Sequence, residues 1–88
     1  MGVVLGEERL LDVVAERVVD TRGSRCPLPL LDARREIVHL AVGGVLELWS
    51  SDTECRREVE AWARKVGHEC LGFVPDAGYD RIFVRRTT

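Results

Sequence analysis

The spacing of apolar positions along the chain alternates between a two-residue and a three-to-four-residue period. Arg17-Val18-Val19-Asp20 is a short β-branched run closed by Thr21-Arg22-Gly23, which predicts a first strand and a loop. From Leu30 to Ala41 there is neither glycine nor proline, and Leu30, Ala33, Ile37, Leu40 and Ala41 share one face of a helix. Gly43-Gly44 reads as its stop. Val45 to Ser50 predicts a second strand, with Leu46 and Leu48 pointing one way and Val45, Glu47 and Trp49 the other. Ser51-Asp52-Thr53-Glu54 offers N-cap candidates, among them a Ser51/Glu54 capping box. A second helix then carries Cys55, Val59, Trp62, Ala63 and Val66 on one stripe and ends at Gly67. Glu69 to Val74 predicts a third strand, Pro75-Asp76-Ala77-Gly78 a turn, and Tyr79 to Arg86 a fourth strand.

The order is β-α-β-α-β-β over a single domain, residues 17–88, preceded by an extension, residues 1–16, that reads as a short helix or as a strand extension. Right-handed crossovers place both helices on one face of a mixed four-stranded sheet, an α+β two-layer sandwich whose last two strands form a hairpin. Leu46, Leu48, Ile82 and Val84 then face the helices. The opposite face carries Trp49, Phe83, Tyr79 and Arg81, a candidate docking surface unless the N-terminal segment covers it.

Composition narrows the function class. Eighty-eight residues suffice for one core, and a formal net charge of −2 argues against a nucleic-acid binder. No apolar run reaches the length of a membrane span, and Met1 to Ala15 lacks the basic start and apolar centre of a signal peptide, so a cytoplasmic protein is expected. Three cysteines form no disulfide framework. Cys26, Cys55, Cys70 and His68 show no Cys-x-x-Cys spacing, so neither a metal site nor another cofactor is expected. His39 and the charged stretch Glu54 to Glu60 read as solvated helix faces, with Glu60 paired to Arg64. Arg81, Arg85 and Arg86 read as contacts for an acidic partner or an RNA-bearing complex, or equally as charges guarding an exposed edge strand.

Cys26 is the candidate with chemistry. It stands in Arg22-Gly23-Ser24-Arg25-Cys26-Pro27-Leu28-Pro29, immediately before a helix whose first turn tolerates proline. Free N–H groups and the positive end of the helix dipole then lie beside its sulfur, with Arg22 and Arg25 near by. An ordinary thiol of pKa ~8.5 is only about 3% ionised at pH 7, and a depression to about 7 would ionise roughly half of it. Cys55 reads as core packing or as a resolving thiol, Cys70 as core and His68 as part of the helix-to-strand turn.

The segment Asp20 to Pro29, with an aspartate, a glycine three residues on and Cys-Pro-x-Pro three residues after the glycine, resembles the signature of the TusA/SirA-like sulfur-carrier family. Leu31, Ala33 and Arg34, then Gly44-Val45-Leu46-Glu47-Leu48, Asp52, Gly67-His68-Glu69 and Phe83-Val84-Arg85-Arg86 fall where that family has its first helix, a strand, an acidic cap, a turn and its last strand. The resemblance spans about residues 17 to 86. It implies a fold similar to the C-terminal domain of translation initiation factor three. It also implies a sulfurtransferase of the carrier type: a persulfide on Cys26, supported by Asp20, Arg22, Gly23, Arg25, Pro27 and Pro29, is relayed rather than turned over independently. Implied partners are a cysteine desulfurase or rhodanese-like donor and a downstream relay protein serving tRNA thiolation, cofactor biosynthesis or sulfur metabolism. The competing expectation is a thiol-based redox or regulatory protein in which Cys55 resolves Cys26. Ser24 stands where the family is usually apolar, two cysteines are additional, and the N-terminal segment is longer.

Overall fold

The computed structural model describes residues 6, 9–10 and 12–88. Its order is β1 (Arg17–Asp20), α1 (Leu28–Ile37), β2 (Val45–Ser50), α2 (Cys55–Val66), β3 (Glu69–Asp76) and β4 (Tyr79–Arg85). The strands form one mixed sheet in the order β1-β2-β4-β3, with β1 parallel to β2 and β4 antiparallel to both of its neighbours. The short helix or strand extension expected in residues 1–16 falls in part on residues 1–5, 7, 8 and 11, which lie outside the described residues.

The register explains the two faces. Leu46 pairs with Val84 and Leu48 with Ile82, so these four side chains project together toward the helices. They are fully buried with Ala33 and Ile37 of α1 and Cys55, Val59 and Ala63 of α2, a core of small and medium side chains that lets both helices approach the sheet. Both helices therefore lie on one face, as expected.

Several boundaries differ from the periodicity. Helix α1 stops at Ile37, before the glycines, and Leu40 is buried from the following turn while Ala41 is exposed. What ends it is remote in sequence: the Arg86 guanidinium donates to the carbonyls of Val38 (2.9 Å) and Leu40 (2.5 Å), satisfying acceptors that a helix end leaves open. Gly43 instead supplies a left-handed residue (φ 95°) in the turn into β2. Pro75 and Asp76 belong to β3, leaving a two-residue Ala77-Gly78 hairpin turn with Gly78 at φ 79°. Helix α2 ends as predicted, with Gly67 left-handed at φ 91°.

The arginines in and just after β4 do not guard an edge. Strand β4 is interior, so it needs no edge charge. Arg81 donates to Glu47 (2.7 Å), Arg85 to Glu69 (2.6 Å), and Arg86 caps α1. The predicted open face is also partly closed. Leu10 is 1% exposed and packs with Val45, Leu71, Val74 and the fully buried Phe83, with Val13 and Ala15 against them. The N-terminal segment thus covers Phe83, while Trp49, Tyr79 and Arg81 remain partly exposed.

Deleting a buried leucine side chain removes transfer free energy and leaves a cavity. Leu10→Ala is expected to destabilise the protein by about 2–3 kcal/mol in urea denaturation. Val14→Ala, at a position 84% exposed, is expected to leave the midpoint unchanged.

Candidate functional site

The loop from Thr21 to Pro27 has little regular structure of its own and is held by the chain between β2 and α2. Thr21 extends the β1–β2 pairing, its N–H (2.9 Å) and hydroxyl (2.6 Å) both donating to the Trp49 carbonyl. Gly23, left-handed at φ 91°, donates its N–H to Ser51 Oγ at 2.8 Å. Cys26 donates its N–H to Asp52 Oδ2 at 2.9 Å. The other oxygen of that carboxylate accepts the Glu54 N–H at 2.9 Å, at the start of α2. The Ser51/Glu54 capping box is therefore not formed: Ser51 serves the cysteine loop, Glu54 is the N-cap of α2 without a side-chain cap bond, and Asp52 closes a local turn with the Glu54 N–H ahead of the helix.

Cys26 precedes Pro27, which occupies the N-cap position of α1, and the Cys26–Pro27 peptide is cis. Pro29, in the first turn, is fully buried and fixes the helix start against the core, while Pro27 is exposed. Cys26 itself is half-buried, its side chain packed on the core next to Cys55. Beside it opens a polar cleft of about 440 Å³ lined by Gly23, Ser24, Arg25, Ser51, Asp52 and Thr53. Helix α1 presents Leu28 and Leu31 to solvent, 57% and 42% exposed.

The electrostatics differ from the expectation. The Cys26 thiol is pushed up, not down. Burial is the leading cause, and the Asp52 and Glu58 carboxylates add to it, while the Cys55 thiol and the Leu30 N–H act in the opposite direction. The helix start does favour the thiolate, but its effect is outweighed. Arg22 is engaged elsewhere. It makes a two-pronged ion pair with Asp20 (2.9 and 2.7 Å), and its guanidinium lies 4.9 Å from the ring centroids of both Trp49 and Tyr79. Asp20 and Arg22 thus form an exposed pair on the sheet face away from Cys26, each stabilising the other's charge. Arg25 is exposed at the cleft, where its charge helps to hold the Asp52 carboxyl below the usual range, after the Cys26 and Glu54 N–H groups.

Cys55 has no exposed surface, and burial pushes its thiol up to about 12, with the neighbouring Cys26 the next cause. Cys70 lies apart, in a smaller cleft with Arg56, Arg57, Glu60 and Phe73, and its thiol is raised mainly by burial. His68 accepts the Thr87 N–H at Nδ1 (3.2 Å) and packs on the edge of Trp62, holding the C-terminal segment at the helix-to-strand turn. Among the described residues no three His, Cys, Asp or Glu side chains converge as metal ligands. The residues that sequence reasoning undervalued are Asp52, read only as an acidic cap, and the exposed Leu28 and Leu31. The signal for Asp52 was its position between a strand and a helix; that it reaches the cysteine loop needed the tertiary structure.

Comparison with known proteins gives a consistent result. The family model for sulfurtransferase TusA matches residues 17–86. A protein of Archaeoglobus fulgidus, provisionally named a sulfur carrier, is 38% identical over 69 residues, covering 78% of this chain and 94% of that protein. The sulfur carrier protein TusA of Pseudomonas entomophila is 30% identical over 77 residues, covering 88% of this chain and 96% of its own. The fold is similar to that of the SirA-like protein from Desulfitobacterium hafniense, with a TM-score of 0.72 at 20% identity over 82% of this chain and 99% of that one.

The raised Cys55 thiol couples folding to alkaline pH. The folded protein keeps a proton that the unfolded chain releases near pH ~8.5, so this stabilisation is complete below that pH and is lost as pH rises toward about 12. Urea midpoints are expected to fall between about pH 7.5 and about pH 10, and to fall less steeply in Cys55→Ala. Equal slopes for the two proteins would contradict this assignment.

Proposed function

The chain belongs to the TusA sulfurtransferase family, and we propose that it carries sulfane sulfur as a persulfide on Cys26. Members of a sulfur-carrier family exchange sulfur with donors and acceptors. For this chain the observation that carries the reading is a half-buried cysteine fixed through its backbone by Asp52 at a helix start, with the residues before it lining an open polar cleft and Leu28 and Leu31 exposed after it.

Loading requires the Cys26 thiolate to attack the outer sulfur of a donor persulfide. The donor's S–S bond breaks as the new S–S bond forms, and the donor leaves as a thiolate. Delivery is the reverse: a nucleophile on the acceptor takes the outer sulfur, and Cys26 leaves as its thiolate. No external oxidant or reductant is consumed, because the carried sulfur remains sulfane sulfur. Asp52 holds the Cys26 backbone, Gly23 allows the loop its left-handed turn, and Pro27 and Pro29 set the start of α1. Asp20 and Arg22 brace the end of β1 rather than activate the sulfur. Arg25, Leu28 and Leu31 are exposed where a partner must approach.

A cysteine desulfurase or a rhodanese-like protein is the proposed donor. The proposed acceptor is a relay protein of tRNA thiolation, cofactor biosynthesis or sulfur metabolism. Among the described residues no helix is long and apolar enough to cross a membrane, in keeping with a cytoplasmic role. The redox alternative draws on one observation, that Cys26 packs against the core cluster to which Cys55 belongs. It is weaker, because a fully buried thiol pushed up to about 12 is a poor attacking group at neutral pH.

Incubation with a cysteine desulfurase and cysteine is expected to add one sulfur atom to Cys26, seen by peptide mass spectrometry and removed by a reducing thiol. Cys26→Ser should abolish the addition, while Cys70→Ser should leave it intact. Undiminished loading of Cys26→Ser would refute the reading.

A further inference from the structure

The cysteine loop is tied to the sheet at a second place, on the face away from the helices. Thr21 to Ser24 is a tight turn closed by the Ser24 N–H on the Thr21 carbonyl (3.1 Å), with Arg22 and the left-handed Gly23 at its centre. Arg22 folds back onto Asp20. Its side chain donates to both carboxylate oxygens (2.9 and 2.7 Å), and its backbone N–H donates to one of them (3.1 Å). The guanidinium also lies 4.9 Å from the ring centroids of both Trp49 and Tyr79. Those rings stand on the neighbouring strands β2 and β4, 5.4 Å apart, and each is held in turn: the Trp49 indole N–H donates to Glu47 (2.5 Å) and the Tyr79 hydroxyl to Asp76 (3.2 Å). An exposed arginine is thus fixed by one carboxylate and two anchored rings. Ordering so flexible a side chain costs conformational entropy, and the strand end does not require it, since Thr21 already makes two bonds to the Trp49 carbonyl.

We propose that Arg22 is a positioning residue for sulfur transfer, anchoring the turn that leads to Cys26 from the outer face of the sheet. Only three residues separate Arg22 from Cys26, which packs on the helix side of the sheet. Gly23 is bound to Ser51 and the Cys26 N–H to Asp52, so with Arg22 in place the segment is held from both faces. Exchange of an S–S bond needs that restraint, because the attacking sulfur must line up with the bond that breaks. An error of about 1 Å in placing a reacting atom costs on the order of a hundredfold in rate. Without the Arg22 anchor, the start of the turn keeps only the Thr21 bonds and the Gly23 contact with an exposed serine hydroxyl. This inference deepens the carrier reading and rests on Cys26 being the reactive thiol.

The test compares Arg22→Ala, Arg22→Lys and Tyr79→Leu in the full chain, by amide hydrogen exchange and by steady-state loading of Cys26 from a cysteine desulfurase with cysteine. Arg22→Ala is expected to speed exchange at the Ser24 and Cys26 amides about tenfold and to lower kcat for loading by about the same factor, with KM within about twofold. The urea midpoint should barely move, because the Asp20–Arg22 pair is exposed. Arg22→Lys keeps a cation for the rings but not the two-pronged pair, and should recover part of both effects. Tyr79→Leu should show part of both alone and add nothing to Arg22→Ala, since the two side chains act as a unit. Unmoved exchange and kcat in Arg22→Ala would overturn the proposal. So would a raised KM with unmoved exchange, which makes Arg22 a partner contact, or losses from Arg22→Ala and Tyr79→Leu that simply add. Should Arg22→Ala fail to fold by circular dichroism, Arg22→Gln, which keeps a long side chain without the charge, takes its place in the same comparison. Hydrogen exchange needs no sulfur donor, so the two readings fail separately. Normal loading on Cys26 with unmoved exchange removes only the anchor, whereas faster exchange with loading that survives Cys26→Ser removes only the carrier role.

Discussion

The carboxylate of Asp52 spans the two halves of the site, one oxygen on the Cys26 N–H and the other on the Glu54 N–H, each at 2.9 Å. Charge-assisted bonds of this kind are stronger than neutral ones, and here a single side chain joins the start of α2 to the residue that precedes α1. The two N–H groups are the leading causes that hold its carboxyl below the usual range. The bonds therefore persist wherever the carboxylate is charged and weaken only as pH falls through that lowered value. Ser51, next to it in the chain, takes the Gly23 N–H, and the Cys26 and Cys55 N–H groups both bond to Asp52.

The anchor works because the sheet beneath it is pinned on both faces. On the helix side, Leu46, Leu48, Ile82 and Val84 meet α1 and α2 through small residues such as Ala33 and Ala63. On the other side, Leu10 and its neighbours bury Phe83, and Glu47 is held by Arg81 (2.7 Å) and by the Trp49 indole (2.5 Å). A buried acid with two donors is satisfied, and it fixes the pleat of β2 just ahead of Ser50 and Asp52. The strand end is thereby a stable platform, and the loop mounted on it needs few contacts of its own. The division is economical in a chain of 88 residues, where one core must both stabilise the fold and position the site.

The alternation of Leu46 and Leu48 with Val45, Glu47 and Trp49 was enough to assign the faces of β2, and the prolines around Leu28 were enough to place Cys26 before a helix. Periodicity records local geometry well, because burial on one face imposes it. It failed where a remote group decided the outcome. Arg86 ends α1 six residues before Gly43, and no local signal in residues 38–42 announces it. Likewise, β4 reads as an edge from the chain order but lies inside the sheet, because β3 adds on its outer side. At the site, the identity of Cys26 was legible and its electrostatics were not. Arg22 is four residues away in sequence, yet Asp20, Trp49 and Tyr79 hold it on the opposite face.

That misplacement of charge bears on how such a site can work. With Arg22 engaged elsewhere and Arg25 acting on Asp52, burial and two carboxylates govern Cys26, and its thiol is protonated at neutral pH. A protonated, half-buried thiol is slow to react with oxidants and stray electrophiles. The same groups make the Cys26 thiolate, once released, a better nucleophile than one of depressed pKa, since intrinsic nucleophilicity rises with basicity. The cost is a small ionised fraction, which the Leu30 N–H at the helix start offsets in part. Selectivity then rests with groups that touch the partner rather than the sulfur. Leu28 and Leu31 are exposed on the helix that follows Cys26, and Gly23, Ser24 and Arg25 before it line the polar cleft. A partner that reads both features engages the chain immediately before and after the sulfur it must reach.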